Sequence, residues 1–293
     1  IVIDDVDTIL EEIGQSVSLK VSTREEPKLV GERSSTFHPL AYPLYKEDHI
    51  LLGVHVYKKA DAKREVVFSK GPHFISPENY NRLGGRYWLD GDISNNYLKL
   101  MLTRDKDMSK VQGSSPKSYC FSTYFFTKLC VEKKEIDYMN VKRWTKEVDI
   151  FSMEKVFFPI NIVDSHWFTI VAYVREKRLM YLDSSKYKIC RFSHLTRVQR
   201  YLMAEHKHKL GREMNIKEWK LGREESPAQD DGCSCGVHVA MNIDLLLRDL
   251  PLQYKGNLVQ EYRKTMAVSL LRKEYPRLSK DGLLPLRRKK KIR

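Results

Sequence analysis

The chain lacks a run of 18 or more apolar residues, and its first residues, IVIDDVDTILEEIG, carry acids where a secretory signal would carry lysines and a long apolar stretch. A membrane-spanning helix needs about 20 consecutive apolar residues. A signal peptide needs a basic start followed by an apolar core. We therefore expect a soluble, unsecreted protein without a membrane partner.

Cysteine is also scarce, with five residues in a chain of 293, at positions 120, 130, 190, 233 and 235. Disulfide frameworks belong to short secreted chains with an even cysteine count. With 42% apolar residues, this chain is long enough to build a packed core without such bridges. The pattern indicates reduced thiols in a cytosolic or nuclear compartment.

Positive charge is abundant, and the formal net charge is +14. Part of this excess forms the terminal run Arg287–Arg293. Such a run suits nuclear import or a weak phosphate-backbone contact, and a solvated tail is an equally good interpretation. We expect a nuclear protein, with the cytoplasm as a second location, and at most a weak contact with nucleic acid through this tail.

No internal repeat or second low-complexity linker appears, so the sequence predicts one α+β domain over residues 49–280. Residues 1–48 are predicted as an N-terminal extension and residues 281–293 as a basic tail. Within the domain, β-branched runs predict a hairpin of HILLGVHVY with REVVFS. Ser76 and Pro77 predict the N-cap and first turn of a short helix.

Apolar spacing predicts further helices over residues 91–103, in SYCFSTYFFTKLC, over 192–209, and in GVHVAMNIDLLLRDL and LVQEYRKTMAVSLLRKEY. Three consecutive strands are predicted in KVFFPINI, HWFTIVAYV and RLMYLDSS, and a fourth in EWKLGRE.

The segment QDDGCSCG places Cys235 just before the apolar helix GVHVAMNIDLLLRDL. A helix N-terminus has a partial positive charge that stabilises a thiolate over a thiol. A buried intracellular cysteine is more often a small hydrophobe. However, the glycine-rich loop and the helix start favour Cys235 as a nucleophile.

A cysteine nucleophile needs a base and a group that orients the base. His166 opens one predicted strand and Asp183 ends the next. If the two strands form an antiparallel hairpin, the start of the first lies beside the end of the second. The sequence thus predicts that His166 and Asp183 are neighbours, although each residue alone would more often be structural.

From about Val66 to Leu250, the chain resembles the Ulp/SENP family of SUMO-specific cysteine proteases. The resemblance rests on YWLDGDISNNYLKL, FSTYFFTKL, VKRWTKEVDIFSMEKVFFPINIVDSHW, YLDSS and QDDGCSCGVHV, in this order. It implies a papain-like fold, in which a central mixed sheet is flanked by helices. The amino-acid sequences NVKRWTKEVDIFSMEKVFFPINI and CGVHVAMN look most similar to the branch of the family that trims poly-SUMO chains.

The resemblance implies that Cys235, His166 and Asp183 form a catalytic triad and that the Gln229 side chain donates to the oxyanion. It also implies that Trp88 and Trp167 sandwich the Gly-Gly tail of SUMO. SUMO and SUMO-conjugated proteins would be the partners of a monomeric isopeptidase that needs no cofactor. The other two tryptophans, Trp144 and Trp219, are predicted to be core residues.

Three features depart from the family pattern. Ser234 stands where the family usually has Asp, Cys233 adds a second thiol two residues before Cys235, and Gly91 alters the register around Asp90, so that a role for Asp90 in contacting SUMO does not follow. Ser234 could change how the loop is anchored. Cys233 could form a reversible redox pair with Cys235.

Three alternatives stay open. The first is a zinc site of Cys233, Cys235, His238 and His166, although C-x-C lacks the usual zinc-ligand spacing. The second is a non-catalytic module that binds SUMO or nucleic acid through its basic surface. The third keeps the fold and triad but processes another ubiquitin-like protein or transfers an acyl group.

Overall fold

The computed structural model describes residues 38–57, 68–69, 74–114, 117–130, 136–162, 165–187, 191–275, 277–279 and 282–284. Its helices are α1 Lys46–Leu52, α2 Pro77–Asn81, α3 Gly91–Val111, α4 Phe125–Leu129, α5 Phe192–Leu210, α6 Cys235–Leu247 and α7 Leu258–Arg272. Its strands are β1 Phe68–Ser69, β2 Phe74–Ile75, β3 Ser118–Cys120, β4 Lys155–Ile162, β5 His166–Tyr173, β6 Arg178–Leu182, β7 Lys220–Arg223, β8 Arg277–Ser279 and β9 Gly282–Leu284.

The central sheet has five strands in the order β3-β4-β5-β6-β7. Its three middle strands are antiparallel, and both edge strands pair in parallel with their neighbours. The strands predicted in the middle of the chain are therefore confirmed, and the sheet is mixed, as an α+β fold requires. The predicted helices α3, α5, α6 and α7 are also confirmed.

Both faces of the sheet are covered, because strand β5 buries side chains on each side. Trp167 and Val171 belong to one core cluster, and Phe168 and Ile170 belong to the other. This alternation follows from the two-residue period of a strand. Every residue of α6 is buried, and this helix packs against β5. The first residue of α6 is consequently held against the middle of the sheet.

The predicted hairpin beginning at His49 is wrong. Residues from Lys46 to Leu52 form an α-helix, and a π-helical turn, Gly53–Tyr57, continues it. Leu51, Leu52 and Val56 are buried on one side of this segment. Tertiary packing of that apolar face overrides the strand preference of β-branched residues. Part of REVVFS lies outside the described residues, and its last two residues pair with β2 instead.

The predicted helix in SYCFSTYFFTKLC is only partly present. Ser118–Cys120 pairs in parallel with β4 as an edge strand, and the helix is confined to Phe125–Leu129. Local apolar spacing cannot reveal this pairing because the partner strand lies more than 30 residues away. Ser76, by contrast, accepts a hydrogen bond from the backbone N–H of Asn79, as predicted for an N-cap.

The packed part of the chain begins before residue 49. Leu40 and Tyr42 are buried in the same core cluster as α6 and α7. Helix α1 spans the predicted boundary between the extension and the domain, and Asp48 pairs with Arg272 of α7 at 2.5 Å. The basic run that ends at Arg293 lies outside the described residues. In the part of the chain that the structure describes, no helix combines the length and apolarity needed to cross a membrane.

Candidate active site

His166 and Asp183 are neighbours, as the predicted hairpin requires. Strand β5 begins with His166, and Thr169 of β5 pairs with Leu182 at the end of β6. The Nε2 atom of His166 lies 2.6 Å from Oδ1 of Asp183. Asp183 is buried, whereas the His166 side chain keeps a small exposed fraction of 17%. The imidazole therefore faces a carboxylate on one side and remains reachable from solvent.

Asp183 is held by two further donors. Its Oδ1 accepts from the backbone N–H of Ser185 at 2.9 Å, and its Oδ2 accepts from Nε of Arg191 at 2.9 Å. Burial by itself raises the pKa of Asp183, but the hydrogen bonds from His166, Ser185 and Arg191 outweigh it, and the pKa is lowered. The carboxylate is thus ionised at neutral pH. Sequence reasoning did not single out Arg191.

The pKa of His166 is raised to about 9. Burial alone lowers this pKa, but hydrogen bonds with the side chains of Asp183 and Cys235, and the negative charges of both, more than compensate. At neutral pH the imidazole is therefore protonated and able to pair with a thiolate. Nε2 of the ring bonds to Asp183, so Nδ1 is the nitrogen that can bond to Cys235.

Cys235 is the first residue of α6, and only 2% of its surface is exposed. Its backbone N–H is among the first four of the helix, which have no intrahelical acceptor. The sulfur consequently lies at the positive end of a fully buried helix and beside a protonated imidazole. Both features stabilise a thiolate.

Cys233 lies in a different environment. Burial raises the pKa of its thiol, and the nearby charge of Asp231 raises it further. The residue precedes the helix and is not among the groups that bond to His166. The local electrostatics therefore distinguish the two thiols and favour Cys235 as the nucleophile.

The loop before α6 is organised by Asp231, which sequence reasoning did not identify. Its Oδ1 accepts from the backbone N–H groups of Cys233 (3.0 Å) and Ser234 (2.8 Å), and its Oδ2 accepts from the Ser234 hydroxyl at 2.7 Å. An Asp that bonds to the backbone two and three residues later is a recognised turn pattern, so the sequence contained this signal. Ser234 therefore anchors the loop to Asp231.

Gln229 lies beside the end of β6. Its backbone N–H donates to the carbonyl of Ser184 at 2.8 Å, and its Oε1 accepts from the Ser184 hydroxyl at 2.9 Å. The Nε2 atom donates to the carbonyl of Asp231 at 2.5 Å. Because an amide nitrogen has two hydrogens, the second N–H is available to another acceptor.

Trp88 contacts the loop before α6, and Trp167 lies beside the first turn of that helix. The indole N–H of Trp88 donates to the carbonyl of Gly232 at 2.7 Å, and 43% of this residue is exposed. Trp167 is buried, and its N–H donates to the carbonyl of Leu89 at 3.1 Å. A Cβ atom added to Gly236 would meet the Trp167 ring at 3.4 Å. The two aromatic side chains thus lie next to residues on either side of Cys235.

A buried arginine of α7 links the same segments. Arg263 donates to the carbonyls of Arg82 (3.0 Å), Tyr87 (2.8 Å) and Cys233 (3.3 Å). It therefore ties the backbone that precedes Trp88 to the loop that precedes Cys235. Sequence reasoning missed Arg263, although Val259, Met266 and Ala267 lie three or four positions away and place it on the buried face of α7. Trp144 and Trp219 pack, partly buried, against the core.

The two histidines of the possible zinc site have other partners. His238 lies on α6 with Nδ1 at 2.8 Å from the Tyr254 hydroxyl, and His166 pairs with Asp183. Within the described ranges, no three His, Cys, Asp or Glu side chains are arranged to hold a metal ion.

Asp90 directly precedes α3. Its side chain accepts a hydrogen bond from the backbone N–H of Ile93 at 2.8 Å and so caps this helix.

Comparisons with known proteins agree with this geometry. Residues 87–274 match the Ulp1 protease family, C-terminal catalytic domain. Sentrin-specific protease 2 of Mus musculus is 34% identical over 203 residues, which cover 68% of this chain and 32% of the relative. Ubiquitin-like-specific protease 1 of Saccharomyces cerevisiae is 29% identical over 184 residues, which cover 61% of this chain and 27% of the relative.

A solved structure, that of the C-terminal Ulp1 protease domain in complex with Smt3, the yeast ortholog of SUMO, superposes with a TM-score of 0.65. It is 25% identical, and the match covers 80% of this chain and 97% of that one. The chain spans about a third of the length of the mouse relative. Since the family match covers more than half of the chain and includes the hairpin, the loop and α6, this protein belongs to the Ulp1 protease family through its C-terminal catalytic domain.

Proposed function

We propose that the chain is a cysteine-type isopeptidase that cleaves after the C-terminal Gly-Gly of SUMO. The single observation on which this depends most is the position of His166, which lies 2.6 Å from Asp183 and whose pKa is raised, against the effect of burial, by the side chains of Asp183 and Cys235. A base held between an ionised carboxylate and a thiol at a helix start is the arrangement that activates a cysteine nucleophile. Family membership supports the same chemistry.

In the first half of the reaction, the Cys235 thiolate attacks the carbonyl carbon of the terminal glycine and forms a C–S bond. The oxyanion accepts hydrogen bonds from the Cys235 backbone N–H and the second N–H of Gln229. When the intermediate collapses, the C–N bond to the target lysine breaks. His166 gives its proton to the leaving amine, and Asp183 fixes the orientation of the imidazole throughout.

In the second half, neutral His166 removes a proton from a water molecule that attacks the thioester. The C–S bond then breaks, which restores the thiolate and the imidazolium. The glycine leaves as a carboxylic acid that ionises in solvent. No redox step or additional co-reactant is required.

Two observations support a SUMO substrate. The relatives are sentrin-specific and ubiquitin-like-specific proteases, and the solved neighbour binds a SUMO ortholog. In addition, Trp88 bonds to Gly232 and the Trp167 ring lies beside Gly236, positions from which the two rings would line a narrow passage for a tail without side chains. The amino-acid sequence of the segment NVKRWTKEVDIFSMEKVFFPINI favours trimming of poly-SUMO chains from target proteins as the activity.

The remaining properties belong to the same proposal. The protein would act as a monomer, in the nucleus and also the cytoplasm, on SUMO-conjugated proteins. Its catalytic domain would start by about residue 40 rather than at 49, because Leu40 and Tyr42 are buried in the core. Contact with nucleic acid would be confined to the basic run at residues 287–293.

A panel of ubiquitin-like proteins with C-terminal fluorogenic groups tests the proposal. We expect cleavage of the SUMO reporter, complete loss in Cys235→Ala, and retention of most activity in the matched control Cys233→Ser. Loss in Cys233→Ser with activity in Cys235→Ala would overturn the assignment. Binding of SUMO without reaction with a SUMO C-terminal electrophile would instead indicate a binding module. Faster cleavage of another ubiquitin-like protein would change the substrate.

A further inference from the structure

Arg191 is a buried cation that contacts Asp183 from the side opposite His166. Only 6% of the residue is exposed, and its Nε lies 2.9 Å from Oδ2 of Asp183. His166 uses the other oxygen, Oδ1, at 2.6 Å. The two carboxylate oxygens therefore have separate cationic partners, and Oδ1 also accepts from the backbone N–H of Ser185.

The guanidinium of Arg191 is itself fixed. Its central carbon lies 4.9 Å from the ring centroid of Phe168, which follows His166 by two residues on β5. The backbone carbonyl of Arg191 accepts from the N–H groups of His194 (3.0 Å) and Leu195 (3.1 Å) at the start of α5. Arg191 thus connects the strand of His166, the end of β6 and the first turn of α5.

The charged and titratable groups near this contact come from three elements. Asp183 faces Arg191 from the end of β6, and His166 lies behind Asp183 on β5. On α5, His194 lies close enough that burial first, and then the charges of Arg191 and Arg197, lower its pKa to about 4. His194 is therefore neutral at pH 7 and does not compete with Arg191 for Asp183.

We propose that Arg191 is a positioning residue for the triad, which holds Oδ2 of Asp183 so that Oδ1 stays directed at Nε2 of His166. A carboxylate bonded through one oxygen can rotate about its Cβ–Cγ bond, whereas one held through both oxygens cannot. A planar guanidinium that stacks on an aromatic ring is suited to this task because its direction is fixed. The inference rests on the proposed function, in which Asp183 orients His166.

Arg191→Gln tests this inference, with Arg200→Gln as the matched control, because Arg200 is an exposed arginine of α5, the helix that Arg191 immediately precedes. With a SUMO reporter, we expect Arg191→Gln to lower kcat by about 10- to 100-fold with little change in KM. Because the pKa of His166 is raised to about 9, we expect the alkaline limb of kcat/KM near pH 9 in the unmodified protein. In Arg191→Gln this limb should move to lower pH, because a misdirected carboxylate holds the His166 proton less tightly. Arg200→Gln should change neither quantity.

A purely structural role predicts a different result. Arg191→Gln would then lose thermal stability, while kcat and the alkaline limb of the folded protein stayed unchanged. That result would overturn the proposal, and so would a limb that moved to higher pH, which mere removal of a positive charge predicts. If Arg191→Gln does not fold, Arg191→Lys retains the buried charge and undergoes the same measurements.

A readout that needs no turnover separates this proposal from the proposed function. Titration of the His166 ring by NMR reports its protonation directly in both proteins. A lower midpoint in Arg191→Gln supports the positioning role even if the unmodified protein cleaves no reporter. An unchanged midpoint in an active enzyme rejects the positioning role and leaves the protease assignment intact.

Discussion

The hydroxyl of Ser184 donates to Oε1 of Gln229 at 2.9 Å, and this contact connects the end of β6 to the loop before Cys235. Because Oε1 is engaged by Ser184 and Nε2 donates to the carbonyl of Asp231, the direction of the amide is fixed. The residue next to Asp183 thereby orients the group that would donate to the oxyanion. Asp183, which pairs with His166, and Ser184, which orients Gln229, directly follow β6. The end of this strand therefore positions both the base and the candidate oxyanion donor.

Gln229→Ala should therefore impair the chemical step. One oxyanion donor would be lost, so we expect kcat on a SUMO reporter to fall by about 100-fold or more, with little change in KM. Ser184→Ala, which keeps the amide but frees its oxygen, should cause a smaller loss. Steady-state kinetics of the two variants check the expectation. Equal kcat values for Gln229→Ala and the unmodified protein would show that Gln229 does not contact the oxyanion.

The pH dependence of activity should follow His166. The reactive form needs a protonated imidazole, and its pKa is raised to about 9, so kcat/KM should decline as the pH rises through about 9. In Asp183→Asn the negative partner is absent, and the alkaline limb should move towards the ordinary histidine value of 6.5. The rate should also fall by roughly 10²- to 10⁴-fold. An alkaline limb at the same pH in both proteins would contradict this assignment.

Asp231 and Ser234 should contribute unequally to the loop. Ser234→Ala removes one hydrogen bond, which should cost about 1 kcal/mol of unfolding free energy. Asp231→Ala removes three acceptor contacts and leaves two backbone N–H groups near Cys235 without their partner, so it should cost more and also lower kcat. Urea unfolding and reporter kinetics test both variants. A Ser234→Ala loss larger than that of Asp231→Ala would show that Asp231 does not organise the loop.

His238 should make the fold sensitive to acid. Burial lowers its pKa from 6.5 to about 4 in the folded state, and its ring bonds to the Tyr254 hydroxyl. Between these two pH values the unfolded chain binds more protons than the folded one. The contribution of neutral His238 to the free energy of unfolding is therefore fully present above about pH 6.5. It is lost as the pH falls towards 4, which lowers the free energy of unfolding by about 3 kcal/mol.

The matched variant is His238→Gln, which has no titrating ring. Unfolding free energies measured from pH 7 to pH 4 should fall less steeply in this variant than in the unmodified protein. His208, an exposed histidine of α5, provides the control position. Identical slopes for His238→Gln and the unmodified protein would exclude a contribution from His238.

Much of the fold is encoded locally. The strands β4, β5 and β6 are short runs of apolar and β-branched residues, and α6 is a continuous apolar helix that follows a glycine-containing loop. The wrong hairpin prediction and the partly wrong helix prediction have a common cause. His49–Tyr57 and Ser118–Cys120 take their conformation from distant partners, α7 in the first case and β4 in the second, and no local pattern encodes a distant partner.

The sequence by itself indicated the candidate nucleophile and base, because Cys235 stands where a loop leads into an apolar helix and His166 opens a predicted strand that can pair with the one predicted to end at Asp183. Only the tertiary structure decided how these groups are held. Arg191, Asp231 and Arg263 are ordinary polar residues in the sequence, and they gain their roles when packing buries them beside Asp183, Ser234 and Cys233. A charged side chain becomes a fixed anchor when burial removes water and leaves a single set of partners.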